Sequence, residues 1–370
     1  MDRTTKTTVV KRIVCFHLFN DYSGSPKVLR MVLEGILKKG YRVDLVSSKA
    51  GVLDELLHCK NLKKYSYQYK FSNNPVVTML RYTSVQLYTF FLSFRWLFCK
   101  DVVFYINTLL PVGPALAGRL MGKRVVYHYH ENAFVKGAFY KMLAAMMERL
   151  ANRIICVSKY QSSFLKCKKK VTVVPNALPE AFVKRLKPDP EAAFERKTVL
   201  MLGSLKEYKG TKEFIQLSQR MLQYRFVLVI NDTQENIDGY LSEKHYTSEE
   251  NLVLYPRQAD VAKFYQQASV VLNLSDKRQF IETFGLTALE AMTAGLPVIV
   301  PTEGGIAEMV DDAVNGYKID VADLDCIGDA IKKLLTDKTK YIQMAENALL
   351  CAKKFNADDM IERVERILAD

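Results

Sequence analysis

Short apolar runs rich in Val, Ile and Leu recur along the chain, each followed by turn-forming residues and then by a segment whose apolar positions fall three and four apart. Runs of that kind suit strands buried on both faces, and the segments between them read as amphipathic helices. The pattern opens with a strand from Arg12 to Leu18, a loop Asn20-Asp21-Tyr22-Ser23-Gly24-Ser25 and a helix expected from Pro26. Val28, Leu29, Val32, Leu33, Ile36 and Leu37 line one face of that helix, which closes at Lys38-Lys39-Gly40 before the strand Val43 to Val46. This is a βαβ opening with a glycine turn at the carboxyl end of its first strand, the edge at which open parallel sheets bind ligands. Further strands are expected at Val102 to Ile106, Val125 to Tyr129, Ile154 to Val157 and Val171 to Val174.

Prolines 175, 179, 188 and 190 then interrupt any regular element, so a domain boundary is expected near 180–196. The alternation resumes with strands at Val199 to Leu202, Phe226 to Ile230, Leu252 to Tyr255, Val270 to Leu274, Pro297 to Val300 and Tyr317 to Ile319. Both halves therefore read as α/β domains with parallel sheets. The pattern gives a first domain over 1–185 and a second over 196–355, with a last helix at about 356–370 that the second sheet does not need and that is expected to cross back to the first domain.

One helix carries the most chemistry. Thr283 is the expected cap, Gly285 to Ala294 has no β-branched run, and Gly295 with Pro297 stops it before Val298-Ile299-Val300. Glu282 then lies just before the helix and Glu290 inside it, on the order of 10 Å apart at ~1.5 Å per residue. Between them stand the backbone N–H groups of Phe284, Gly285 and Leu286. An anion site flanked by two hydroxyl-accepting carboxylates suits a nucleotide sugar, whose diphosphate is charged and whose two rings carry hydroxyls.

Other positions are weighed beside it. Lys209, in Gly203-Ser204-Leu205-Lys206-Glu207-Tyr208-Lys209-Gly210, follows the first strand of the second half and can neutralise a diphosphate; Lys206 is a second candidate that reads more simply as solvated. His128 and His130 alternate onto one strand face, and contact with a donor sugar is favoured over zinc because His17, His58 and His245 have no helpful spacing. Asp323-Leu324-Asp325 reads as a helix start rather than a metal motif. Gly304-Gly305 is either a plain turn or a close backbone approach to a ligand. The aromatic segment Val76 to Phe98 is read as a buried helix, with a membrane-surface helix as the alternative. Loops 52–75 and 131–140 show no pattern that names an acceptor.

Composition bounds these readings. The chain has 370 residues, 49% of them hydrophobic and 25% charged, enough for two cores without staples. Its seven cysteines include no Cys-x-x-Cys pair and are expected to be reduced, as in the cytosol. Neither an apolar leader in Met1 to Val10 nor a run of about 18 apolar residues is present, so no signal peptide or membrane span is expected. The net charge of +13 is uneven: residues 1–190 hold 32 Lys and Arg against 11 Asp and Glu, and 191–370 hold 21 against 29, giving +21 and −8. A basic half attracts anionic surfaces; without a nucleic-acid motif, a membrane is favoured as partner over nucleic acid, and the cluster Lys166, Lys168, Lys169, Lys170 would add to such a surface.

Taken together, Ser23-Gly24-Ser25, Asp101-Val102-Val103, Val125 to Glu131, Ile155 to Ser158, Val173 to Asn176, Gly203 to Gly210 and Glu282 to Glu290 resemble the retaining nucleotide-sugar glycosyltransferases of family four. The resemblance implies the GT-B fold, two Rossmann-like domains facing across a cleft, with the acceptor on the first and the donor on the second. It implies Glu282 and His130 at the donor sugar, Glu290 at the ribose, and Lys209 with the N–H groups of Gly285 and Leu286 at the diphosphate. Gly24, Ser204, Lys206 and Phe284 complete the expected donor site. The implied reaction needs no metal or other cofactor: a UDP- or GDP-linked sugar passes to a hydroxyl acceptor with retention, the acceptor being a lipid-linked glycan of the cell surface. The protein is expected in the cytoplasm, at most peripheral on the inner membrane face. Two departures stand out, Ser204 where the family usually has arginine and Ser23 where it usually has glycine. An epimerase of the same fold and a non-catalytic sugar-nucleotide-binding subunit are the competing readings.

Overall fold

The computed structural model describes residues 12–72, 74–135, 137–246 and 249–370, so the expectation for Met1 to Val10 lies outside the described residues. The chain divides into two compact units, Met1–Asn176 with Ala357–Asp370, and Ala177–Asn356.

In the first unit seven parallel strands are β1 (Arg12–His17), β2 (Arg42–Ser48), β3 (Leu62–Tyr67), β4 (Val102–Asn107), β5 (Arg124–Tyr129), β6 (Arg153–Cys156) and β7 (Val171–Val173). They lie in the order β3-β2-β1-β4-β5-β6-β7, so the direction of building reverses between β1 and β4. Helices α1 (Gly24–Lys38), α2 (Pro75–Ser93), α3 (Val112–Leu120) and α4 (Ala138–Leu150) connect them. The helix α1 starts at Gly24 rather than Pro26, with Ser23 at its N-cap. The Ser23 hydroxyl turns back to Asp21 Oδ1 at 2.6 Å instead of capping.

Two expectations are corrected here. Part of 52–75, read as loop, forms a 3-10 turn (Val52–His58) and the edge strand β3. Lysines 63 and 64 blunt this edge, and such a polar strand has no apolar alternation by which to be recognised. The segment Val76 to Phe98, read as a buried helix, is largely exposed: α2 buries only Val85, Thr89 and Ser93. Trp96, just past its end, is fully buried among Phe16, Tyr65 and Phe104, and its indole N–H donates to Asp44 Oδ2 at 2.7 Å.

The final helix, Ala357–Ala369, belongs to the first unit. Ile361 fills the space over Gly35 of α1, where a Cβ would come within 2.6 Å. Arg363 donates to Val173 O at 2.6 Å and Arg124 to Leu368 O at 2.9 Å, and Glu365 is paired with Lys39.

The second unit holds β8 (Thr198–Gly203), β9 (Arg225–Ile230), β10 (Leu252–Tyr255), β11 (Val270–Leu272), β12 (Val298–Val300) and β13 (Gly316–Lys318). Their order, β10-β9-β8-β11-β12-β13, again all parallel, reverses between β8 and β11. The first unit ends at Asn176, earlier than 185, because the proline-rich segment packs onto the second. Phe182 meets Tyr265, Phe194 meets Tyr341 at 5.4 Å, Gln266 Nε2 donates to Arg185 O at 2.5 Å, and Arg185 is paired with Asp260.

Where α2 crosses α3 the backbones nearly touch: a Cβ on Gly113 would lie 2.2 Å from Gln86 O, and Gly113 N–H donates to Gln86 Oε1 at 2.9 Å. Gly113→Ala is expected to lower stability in urea unfolding by about 1–3 kcal/mol, the usual cost of overpacking. Gly239→Ala, in a helix with open space around the Cβ, is expected to raise it by up to about 1 kcal/mol.

Candidate functional site

The reversal between β8 and β11 leaves a crevice at their carboxyl ends, where the segments following the two strands meet. After β8 the chain makes a 3-10 turn, Glu207–Lys209, and passes through Gly210 at φ +75°. A side chain at Gly210 would collide with Leu274, 2.3 Å from its Cβ, so only glycine seats the Lys209 turn on the segment after β11. Asp276 N–H donates to Tyr208 O at 2.9 Å, and the Tyr208 ring stacks on Phe280 at 4.9 Å.

Lys209 is held inside this joint. Its Nζ lies 4.0 Å from the Phe280 ring centroid and donates to Glu282 Oε1 at 2.5 Å. Ser275 Oγ donates to the same carboxylate oxygen at 3.1 Å. Burial pushes the Glu282 carboxyl up, but the Lys209 charge and hydrogen bonds from Lys209, Ser275 and Asn273 outweigh it and hold the group below its ordinary range. Ser204 contributes its carbonyl to Thr211 Oγ1 at 2.9 Å, and Lys206 Nζ lies 5.8 Å from the Tyr208 ring centroid.

The helix that carries Glu290 runs Leu286–Thr293, and its N-cap is Gly285 rather than Thr283. Gly285 has φ +93°, and a Cβ there would lie 2.4 Å from Ile306, so glycine is required twice over. Ala288 and Leu289 donate to Gly285 O at 3.1 and 3.3 Å, which leaves the N–H groups of Leu286 and Thr287 outside the intrahelical ladder. The Phe284 side chain is buried against Phe355. Glu290 accepts a hydrogen bond from the phenol of buried Tyr265, whose pKa is pushed well above the ordinary range by burial, then by the Glu290 charge and this bond. Tyr265 therefore donates at any working pH; sequence reasoning missed it because nothing in the sequence marks which tyrosine reaches Glu290. The Gly304-Gly305 turn packs on Glu282: Gly305 N–H donates to Glu282 O at 2.8 Å. Asp323 caps its helix by accepting from Cys326 N–H at 3.0 Å.

Gly24 and His130 belong to the first unit, at the carboxyl edge of its sheet. There His130 Nε2 meets Asn107 Oδ1 at 3.1 Å, and Asn107 Nδ2 meets His17 Nδ1 at 3.0 Å. His128 packs on His130 with ring centroids 4.2 Å apart, and its Nδ1 lies 2.6 Å from the Tyr105 hydroxyl. Asn107 thus accepts from a neutral His130 carrying its proton on Nε2 and donates to His17. Burial lowers all three imidazoles: His17 to about 4, His128 to about 3, and His130 well below its ordinary value, aided there by its two histidine neighbours. Glu131 ties the loop after β5 to the one after β4, accepting from Leu109 N–H at 3.0 Å. Among the described residues no three His, Cys, Asp or Glu side chains gather as a metal site.

A histidine whose folded-state pKa lies below its unfolded value binds its proton first in the unfolded chain, so stability falls as pH drops below about 6.5. His128→Gln is expected to flatten the slope of unfolding free energy by about 1.4 kcal/mol per pH unit between pH 4.5 and 6, read from urea titrations.

Comparison with known proteins gives the same picture for both units. Residues 183–350 match the family described as Glycosyl transferases group 1, and residues 22–181 match Glycosyltransferase Family 4. Among curated relatives, N-acetyl-alpha-D-glucosaminyl L-malate synthase of Bacillus anthracis is 25% identical over 50% of this chain and 49% of its own. Sucrose-phosphate synthase of Spinacia oleracea is 36% identical over 26% of this chain and 10% of its own. The chain thus spans about half or less of the length of these relatives. Two solved structures share the fold. Anabaena HepE in complex with UDP and glucose has TM-score 0.74 and 19% identity, covering 98% of this chain and 100% of that one. Sucrose-phosphate synthase from Thermosynechococcus elongatus has TM-score 0.78 and 17% identity over 96% and 98%. With two parallel-sheet units, each matched by its own half of the family, the chain belongs to the group 1 glycosyltransferases of GT-B fold.

Proposed function

We propose that the protein is a retaining glycosyltransferase that moves a hexosyl or N-acetylhexosaminyl group from a nucleoside diphosphate sugar, with UDP favoured, to a hydroxyl of a lipid-linked glycan in cell-surface polysaccharide assembly. The observation that carries this reading is the grouping of Lys209, Glu282 and the Leu286 helix N-terminus at the β8/β11 crevice, with Glu290 further along that helix. UDP is favoured because HepE, of the same fold, holds UDP and glucose.

In this reading Lys209 and the N–H groups of Gly285 and Leu286 receive the diphosphate, Glu282 the sugar hydroxyls and Glu290 the ribose. Tyr265 holds the Glu290 carboxylate in place. Gly24 and a neutral His130 serve the donor from the first unit, and Ser204 and Lys206 line the turn after β8. The acceptor oxygen bonds to the anomeric carbon on the face from which the phosphate oxygen departs, and the leaving diphosphate takes the acceptor's proton. Charge building on that leaving group is met by groups already in place, so the counter-charge comes from Lys209 and helix N–H groups without a metal. The protein works in the cytoplasm, where its first unit meets the inner membrane face.

Thermal stabilisation by UDP, GDP and their sugars is expected for one base and weakened by Glu290→Ala; no shift with any of them would sink the donor assignment. Lys209→Ala is expected to slow transfer by about 3 kcal/mol of activation free energy, like the loss of other preorganised charges. Turnover near that of the unaltered protein would remove Lys209 from the mechanism.

A further inference from the structure

The helix α2 is built inside out. Its buried stripe is Val85, Thr89 and Ser93, small residues, and the two hydroxyls among them are spent on the helix itself: Thr89 Oγ1 donates to Val85 O and Ser93 Oγ to Thr89 O, both at 2.7 Å. The large apolar side chains face outward. Leu80 is 63% exposed, Leu87 55%, Phe91 68%, and Phe98 just beyond the helix 92%. Val76 belongs to the same row, because 76, 80, 87 and 91 are four, seven and four residues apart and so fall on a single helical face, and exposed Phe94 continues it into the 3-10 turn that follows. Neighbouring α3 adds exposed Leu116 and Leu120. Soluble proteins rarely leave an apolar surface of this extent bare.

The helix is not loosely attached. Tyr82 donates to Leu110 O at 2.8 Å, the backbone of Gln86 rests on Gly113, and Trp96 anchors the far end through Asp44. The outward row is therefore a fixed surface of the folded unit.

Charge selects its occupant. From Leu56 to Lys100 the sequence has no Asp or Glu, while Lys60, Lys63, Lys64, Lys70, Arg81, Arg95 and Lys100 are all cations. Of these Lys64 is spent on Asp54, and Arg81 and Arg95 are exposed beside the apolar row. An apolar face on a stretch of chain that carries cations and no carboxylate disfavours a second copy of itself and complements a layer that is anionic outside and apolar inside. No helix among the described residues is long and apolar enough to cross a membrane. We propose that the outward face of α2, continued through Phe94 and Phe98, lies in the plane of an anionic lipid surface with its aromatic and leucine side chains inserted at the headgroup boundary.

The full chain is incubated with vesicles of phosphatidylcholine, with and without phosphatidylglycerol, and sedimented. It is expected to follow the anionic vesicles and to be partly released by about 0.5 M salt, which screens the charge but not the apolar contact. Leu87→Glu with Phe91→Glu is expected to lower the partition coefficient at least about tenfold while circular dichroism melting stays unchanged, since both positions are exposed. Phe98→Glu is the second variant should the first fail to fold. Failure of the unaltered chain to sediment, or equal sedimentation of a folded variant, overturns the proposal. So does a dimer in sedimentation velocity that the substitutions make monomeric, because the face would then be a contact between copies. Nucleotide stabilisation measured on the same variants reads the donor site separately, so either proposal can fail without the other.

Discussion

A parallel sheet that begins at a central strand and then builds outward on both sides has two successive loops that depart in opposite directions, and the gap between them opens at the carboxyl ends. This chain does so twice, between β1 and β4 and between β8 and β11. The side chains that could act on a ligand follow from that constraint. His17 and Asn107 end β1 and β4, and Lys209 and Glu282 belong to the segments after β8 and β11. Glycines 210 and 285 then let backbone reach where a Cβ would not fit, which is how loops of different origin come within hydrogen-bond distance.

The two carboxyl edges have opposite electrostatic characters. In the second unit a full ion pair sits at the crevice, with the Lys209 ammonium over an aromatic ring and shared with Glu282. In the first unit burial keeps three imidazoles neutral, so they offer hydrogen bonds and ring surface rather than charge. The charged edge suits an anionic group, and the uncharged edge suits hydroxyls.

Much of this was legible in the sequence because the information was local. The Glu282 to Glu290 segment carries its own glycines and proline stop, and apolar runs bounded by turns mark buried parallel strands. Less was legible where the outcome depends on what an element packs against. Thr283 is a good cap by type, yet the position is taken by Gly285, whose positive φ and nearness to Ile306 admit no side chain. The prolines of 175–190 mark irregular chain but not the side on which it settles; Phe182 and Phe194 decide that by finding Tyr265 and Tyr341. Hydropathy reports that α2 is apolar, not that its small residues are the buried ones. The polar strand β3 gives no alternation, and the partnership of Lys209 with Glu282 spans 73 positions of sequence.

The place of the last helix bears on how the chain folds as it is made. Ile361 covers Gly35, and Arg124 is held by the carbonyls of Ile367 and Leu368, so α1 and β5 are complete only once the helix Ala357–Ala369 has been made. The second unit ends at Asn356. Although it begins later, all of its residues precede the helix Ala357–Ala369 that the first unit still awaits. The unit that begins first is therefore the one completed last, and the helix Ala357–Ala369 is a part of the first unit that lies beyond the whole of the second in sequence.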